Sequence, residues 1–256
     1  MIGIVAIAAA SVMTLAWLRQ LRTHNAGWVD VIWASMTGAA AIGYGVGGNG
    51  AFEPRLLTAL LGGLWGLRLA SHLARRLYGE PEDSRYASMR ERTNGDQRGF
   101  IVMYAVQATL VVVCSLPFFA SASNPVAGLT AWAIAAIVVW IVAVGGETIA
   151  DSQLARFRSA PMNRGRVCDV GLWKYSRHPN YFFEWLHWFT YALLAIGSPI
   201  QWLAWLGPVL MFLLVYFVSG VPFAERASLR SRGDAYRDYQ SRVSKFFPLP
   251  PKTTGP

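Results

Sequence analysis

Charge is what this sequence has least of. Asp, Glu, Lys and Arg make up 14% of its 256 residues, where a soluble chain carries about 25%, and the charges sit in a few blocks between long apolar runs. With 54% hydrophobic residues and a mean hydropathy of +0.33, a water-soluble domain and a disordered chain are both excluded. Cysteine is equally scarce. Cys114 inside an apolar run and Cys168 in a basic block provide neither a disulfide framework nor a metal-ligand spacing, and no motif specifies a metal, haem or flavin. Acidic residues number 14 against 23 basic ones, a net charge of +9. In a chain mostly in lipid, arginines at segment ends point to anionic headgroups or a phosphorylated ligand, not to nucleic acid. The first apolar run lacks a basic leader, so it is expected to remain as a helix and not to be cleaved as a signal.

What the sequence does have is apolar length. A bilayer core needs about 17 to 25 apolar residues per helix, and seven stretches approach that: 2–18, 28–46, 56–70, 100–120, 126–144, 181–196 and 200–219. The expected fold is therefore all-α, one polytopic membrane domain of about seven transmembrane helices over 1–256. Turn-forming residues at 47–50, 121–125 and 197–199 punctuate the spans. Lys and Arg collect on the cytoplasmic side of membrane proteins. With the N-terminus outside and the C-terminus cytoplasmic, 21 of the 23 fall on the inner side, leaving Arg55 outside and Arg68 within the third span. The near-absence of ionisable groups outside argues against a receptor. The lack of polar groups at the midplane of several helices argues against a transporter. A membrane enzyme facing the cytoplasm fits best.

The densest constellation of chemically capable residues runs from Glu147 to Trp188. Glu147 and Asp151 are four apart and share a face if the fifth helix continues past the lipid boundary. Arg158, Arg164, Arg166, Lys174 and Arg177 form a cluster of donors suited to phosphate, or inner-loop cations placed for topology and anionic lipid. In Arg177-His178-Pro179-Asn180-Tyr181, Pro179 is a helix start signal. On the helix it opens, Glu184 shares a stripe with His187, Trp188 and Tyr191. A carboxylate there either lines a site or locks helices through His187 or an inner-loop arginine. Asp30 with Trp33, and Arg68 with His72, are polar pairs at helical spacing on the second and third spans. They either stabilise developing negative charge on a substrate oxygen or form a structural Asp30 to Arg68 salt bridge. The tail 226–245 is expected to lie as a helix along the membrane surface, carrying Glu225, Leu229, Tyr236 and Tyr239 on one stripe, ending at Pro248, Pro250 and Pro251, with a frayed end at 253–256.

G-L-W-K-Y-S-R-H-P-N-Y-F-F-E-W, with the tail Y-R-D-Y-Q-S-R-V-S-K-F-F-P-L-P-P-K, resembles a bacterial membrane family of unknown function, DUF1295, related to the steroid 5-alpha-reductases. The likeness covers roughly 147–252. It implies a seven-helix fold in a bacterial inner membrane, whose later half (145–252) binds NADPH from the cytoplasm and reduces a carbon-carbon double bond conjugated to a carbonyl in a lipidic, sterol-like or isoprenoid substrate. By the same resemblance Glu147 and Asp151 match the family's acidic-x-x-x-Asp element. Arg158 and Arg166 match its phosphate-binding arginines, Asn180 and Glu184 its sixth-helix pair, and Trp188 an aromatic of that pocket. Tyr175, Arg177, His178, Tyr181 and Glu225 complete the implied cofactor contacts. The catalytic set is then Asp30, Arg68, His72 and Glu184. The steroid reductases carry Asn at the position of Glu147, and their His and Tyr correspond by spacing to Glu225 and Leu229. Their Gln-Glu pair has no counterpart here, so the resemblance does not extend to a steroid substrate. R-H-P-N-Y is also similar to the isoprenylcysteine carboxyl methyltransferases, which implies S-adenosylmethionine as the alternative cofactor. A non-catalytic lipid-binding scaffold is the third reading.

Overall fold

The computed structural model describes residues 1–78 and 82–252, so the expected frayed end at 253–256 lies outside the described residues. Every regular element among them is helical. They cluster into two compact units, 1–134 with 191–207, and 135–190 with 208–252. Among the described residues, six helices are long and apolar enough to cross a membrane.

In the first unit, α1 (Ile2–Thr23) buries Ala9, Met13, Ala16 and Gln20, a spacing of three and four that puts them on one face. It stops where His24 turns left-handed. α2 (Trp28–Gly47) and α3 (Phe52–Leu77) pack almost backbone to backbone. A Cβ on Gly66 would lie 2.6 Å from Gly38 Cα, and one on Gly62 would lie 2.4 Å from Ala41 Cβ. Lipid tails are as apolar as leucine, so association in a bilayer depends on this close approach and on interhelical hydrogen bonds. α5 (Gln97–Ala122) supplies the latter: its Ser115 bonds Tyr44 at 3.2 Å and its Ser121 bonds Thr58 at 2.8 Å. Asn124 donates to the carbonyls of Leu194 and Ile196, fastening the turn after α5.

Between α3 and α5 lies the short α4 (Ser84–Arg92), capped by Asp83. It is clamped by charge. Arg85 donates to Asp30 at 2.5 Å, Tyr86 OH donates to the other Asp30 oxygen at 2.9 Å, and Arg90 bridges Glu82 and Gln20. Burial raises the Tyr86 phenol above its ordinary value, and Asp30 adds to the effect. Burial acts to raise the Asp83 carboxyl, but hydrogen bonding and charge from Arg85 outweigh it and hold the group low.

The second unit is built on α6 (Ala131–Ser159), which starts later than its apolar run because Pro125 and Gly128 (φ +87°) hold the preceding loop out of helical geometry. It also runs well past the apolar stretch. The apolar run 181–196 is formed by α7 (Pro179–His187) and α8 (Phe189–Leu194), and neither alone reaches span length. The chain then passes through a 3-10 turn, α9 (Leu206–Leu213) and a π-turn at Leu214–Val218 into α10 (Val221–Arg232). Pro222 has no N–H to continue the ladder, and the Ser219 N–H bonds back to Leu214.

The tail departs from the single surface helix read from the sequence. Gly233 (φ +52°) breaks it into α10 and α11 (Asp234–Arg242), and α11 ends at Arg242, before the prolines. Tyr236 and Tyr239 are buried. A phenol at each position finds an acceptor in the protein interior, which draws α11 inward. Phe246 and Phe247 then pack among Phe182, Trp185, Phe212 and Tyr216.

Candidate functional site

The extension of α6 is what creates the site. Ala136, Ala143, Glu147 and Ala150 are buried on one face, so the carboxylate of Glu147 occupies a position otherwise given to alanine. Asp151 follows one turn later. Gly146 has room for no side chain, because a Cβ there would meet the Phe183 ring at 2.5 Å. This close approach seats α7 on α6. Asn180, three residues before Phe183 on the same helix, consequently donates through Nδ2 to Asp151 Oδ1 at 3.3 Å. Its Oδ1 is buried and has no hydrogen-bond partner among the described residues.

Further along α7, Glu184 and His187 are buried, and Trp188 Nε1 donates to Glu184 Oε1 at 3.1 Å. Asn180, Glu184 and His187 fall at i, i+4 and i+7, so α7 carries a buried polar stripe. Thr190 Oγ1, three residues beyond His187, is likewise a buried polar atom with no hydrogen-bond partner among the described residues.

Behind this stripe the start of α7 is held by the tail. Arg177 donates Nε to Glu225 Oε1 at 2.9 Å and Nη1 to the carbonyls of Gln240 and Val243. Glu225 also accepts from His178 Nε2, Tyr236 OH and the Gln240 amide. His178 stacks on Tyr181 with ring centroids 5.7 Å apart. Burial pushes the His178 imidazole below its ordinary value despite the pull of Glu225. It pushes the Tyr236 and Tyr239 phenols up. Tyr175 is exposed at the end of a 3-10 turn.

The basic residues of the same segment face outward. Arg156, Arg158, Arg164, Arg166 and Lys174 are all exposed, and the Arg166 carbonyl is fixed by Arg232 Nε at 2.9 Å. Such guanidinium groups match a ligand that carries phosphates.

The remaining predicted residues belong to the first unit. Arg68 and His72 lie one turn apart on α3. Asp30 does not form the expected salt bridge with Arg68. Both of its oxygens are acceptors from Arg85 and Tyr86. A carboxylate at the start of α2 takes the cation that α4 brings to it, and nothing in local sequence spacing couples residue 30 to residue 85. Sequence reasoning also missed Gln240 and Tyr236 as partners of Glu225. The Y-x-x-Y of the tail was the available signal, but it reads equally as an amphipathic stripe.

The family model described as "Protein of unknown function (DUF1295)" matches residues 16–243. An uncharacterized protein, C594.04c of Schizosaccharomyces pombe, is 25% identical over 264 positions, covering 91% of this chain and 75% of the relative. No solved structure matches the chain at a significant level. With the model spanning nearly the whole length, the chain belongs to the DUF1295 family of proteins of unknown function.

Proposed function

We propose that this protein is an NADPH-dependent membrane reductase related to the steroid 5-alpha-reductases, acting on a carbon-carbon double bond conjugated to a carbonyl in a lipidic substrate. Its seven-span topology has the N-terminus outside and the cofactor side in the cytoplasm. The observation that carries the reading is Asn180 Oδ1, a buried acceptor with no partner among the described residues. Leaving such an atom unmet costs roughly 1–3 kcal/mol, and a ligand donor such as a carboxamide N–H or a ribose hydroxyl removes that cost.

The residues present fit such a group. Asn180, Asp151 and Glu147 offer acceptors for carboxamide and hydroxyl donors. Glu184, fixed by Trp188, orients the ring end, and the exposed Arg158 and Arg166 meet phosphates. When bound, the cofactor supplies a hydride. The chain's own work is to hold the cofactor, exclude water, and stabilise the negative charge that reduction places on the substrate oxygen. Arg68 and His72, one turn apart on α3 in the first unit, are groups of the kind that can donate to such a charge. Asp30, committed to Arg85 and Tyr86, holds α4 in place. Arg177, His178 and Glu225 fix the start of α7 and so position Asn180.

The test is the thermal midpoint of the purified protein in mild detergent with NADPH, NADH and S-adenosylmethionine added separately. A ligand that binds only the folded state stabilises it, by about 2.7 kcal/mol at one hundred times its Kd. NADPH is expected to raise the midpoint, and Asn180→Leu and Arg166→Ala are expected to diminish the rise while leaving the unliganded midpoint within a few degrees of wild type. A rise with S-adenosylmethionine alone overturns the reading in favour of methyl transfer.

A further inference from the structure

A groove of about 500 Å³ runs along the face of α6 opposite Glu147 and Asp151, lined by Ile141, Val142, Gly145, Ile149, Leu172 and Phe183, with Gln153 and Tyr175 at one end. Its floor is Gly145, where a Cβ would find no atom within 4 Å, and its wall is Phe183 seated against Gly146. From Ile141 to Gln153 the helix rises about 18 Å, a little over half of the roughly 30 Å hydrocarbon core. The groove is therefore one leaflet deep, apolar along its length and polar at one end.

That end carries positive charge. Arg156 is exposed one turn beyond Gln153 and falls on the same face of α6 as Gly145 and Ile149. Lys174 is exposed beside Tyr175. Neither forms an ion pair among the described residues. Gln153 Oε1 accepts the Leu172 N–H at 2.8 Å, which leaves its amide hydrogens for an ester or phosphate oxygen. Gly171 (φ +58°) has no Cβ where the Gln153 amide lies, so the amide can occupy this position.

We propose that this groove is a binding site for one anionic phospholipid. An acyl chain lies along Ile141, Gly145 and Ile149, and the phosphate lies between Arg156 and Lys174. Charge complementarity selects an anionic over a zwitterionic headgroup, because each Lys or Arg beside an anionic surface contributes favourably. The site is separate from the cofactor pocket proposed above and does not depend on it.

The experiment reconstitutes the full-length protein in vesicles of equal phosphatidylglycerol and phosphatidylcholine, extracts it gently, and counts retained lipid on the intact protein by native mass spectrometry. One phosphatidylglycerol is expected to be retained in preference to phosphatidylcholine. Arg156→Gln and Lys174→Gln are each expected to reduce that preference about fivefold. Gly145→Leu fills the floor, and replacing a helical glycine by leucine favours the helix, so this variant is expected to fold normally and lose the bound lipid. Arg230→Gln removes an exposed cation of α10 that does not line the groove and is expected to change nothing. Equal retention of both lipids, retention unaltered in Gly145→Leu, or an equal loss in Arg230→Gln overturns the proposal.

Discussion

Arg177 and Glu225, 48 residues apart in sequence, meet in a hydrogen-bonded ion pair with Nε to Oε1 at 2.9 Å, and both side chains are nearly buried. The pair joins the loop before α7 to α10, and three further donors converge on the same carboxylate. The residue motif that looks most like a cofactor signature thus begins with two residues that bind the protein's own tail.

Breaking that pair from one side is expected to be costly. Glu225→Ala leaves the Arg177 charge buried and uncompensated, a loss of about 3–5 kcal/mol. The double variant Arg177→Met with Glu225→Leu, which removes both charges, is expected to lose markedly less. A double-mutant cycle on thermal midpoints in detergent measures the difference, and equal losses for single and double variants contradict the coupling.

His178 gives the protein a pH dependence of defined sign. Burial holds its imidazole below the ordinary value, and Arg177 and Lys245 assist while Glu225 opposes. The unfolded chain takes up this proton near pH 6.5, before the folded protein does. Stability from this group is therefore whole above about pH 6.5 and is lost as pH falls from there toward the folded value. The thermal midpoint is expected to drop between about pH 7.5 and about pH 5.5, and to drop less in His178→Gln. An identical slope in the variant sinks the assignment.

The α2–α3 contact makes opposite predictions for two glycines. Gly66→Ala places a methyl 2.6 Å from Gly38 Cα, and the helices must separate at a cost of about 1–3 kcal/mol. Gly43→Ala meets no atom within 4 Å and is expected to be neutral or slightly stabilising through helix propensity. Comparison of the two midpoints decides.

The proposed orientation is checked by thiol labelling. Cys114 and Cys168 are both buried, and a Cys114→Ala, Cys168→Ala background is quiet. Leu129→Cys, in the exposed loop before α6, is expected to react with an impermeant reagent on intact cells. Met162→Cys, in the basic segment after α6 and highly exposed, is expected to react only after permeabilisation. The reverse pattern overturns the topology.

Much of the fold was legible because lipid imposes a simple rule. Every backbone group in a bilayer must be satisfied within its own helix, so apolar runs and the turn residues at 47–50, 121–125 and 197–199 mark helices and their ends. The run 181–196 was less transparent, since composition reports length and not the change of helix at Trp188. Of the site, the Glu147–Asp151 spacing and the Pro179 start could be read directly, because both are local helical geometry.

What the sequence by itself determined is the membrane character, the helical class and the clustering of polar chemistry between Glu147 and Trp188. These depend on composition and on periodicity within a few residues. Only the tertiary structure decided that Asp30 takes Arg85, that Glu225 gathers Arg177, His178, Tyr236 and Gln240, and that Gly146 brings Asn180 to Asp151. Those pairings join positions from 11 to 55 residues apart. A buried charge or amide takes whichever partner the packing delivers, and packing is a property of the folded chain, not of local spacing.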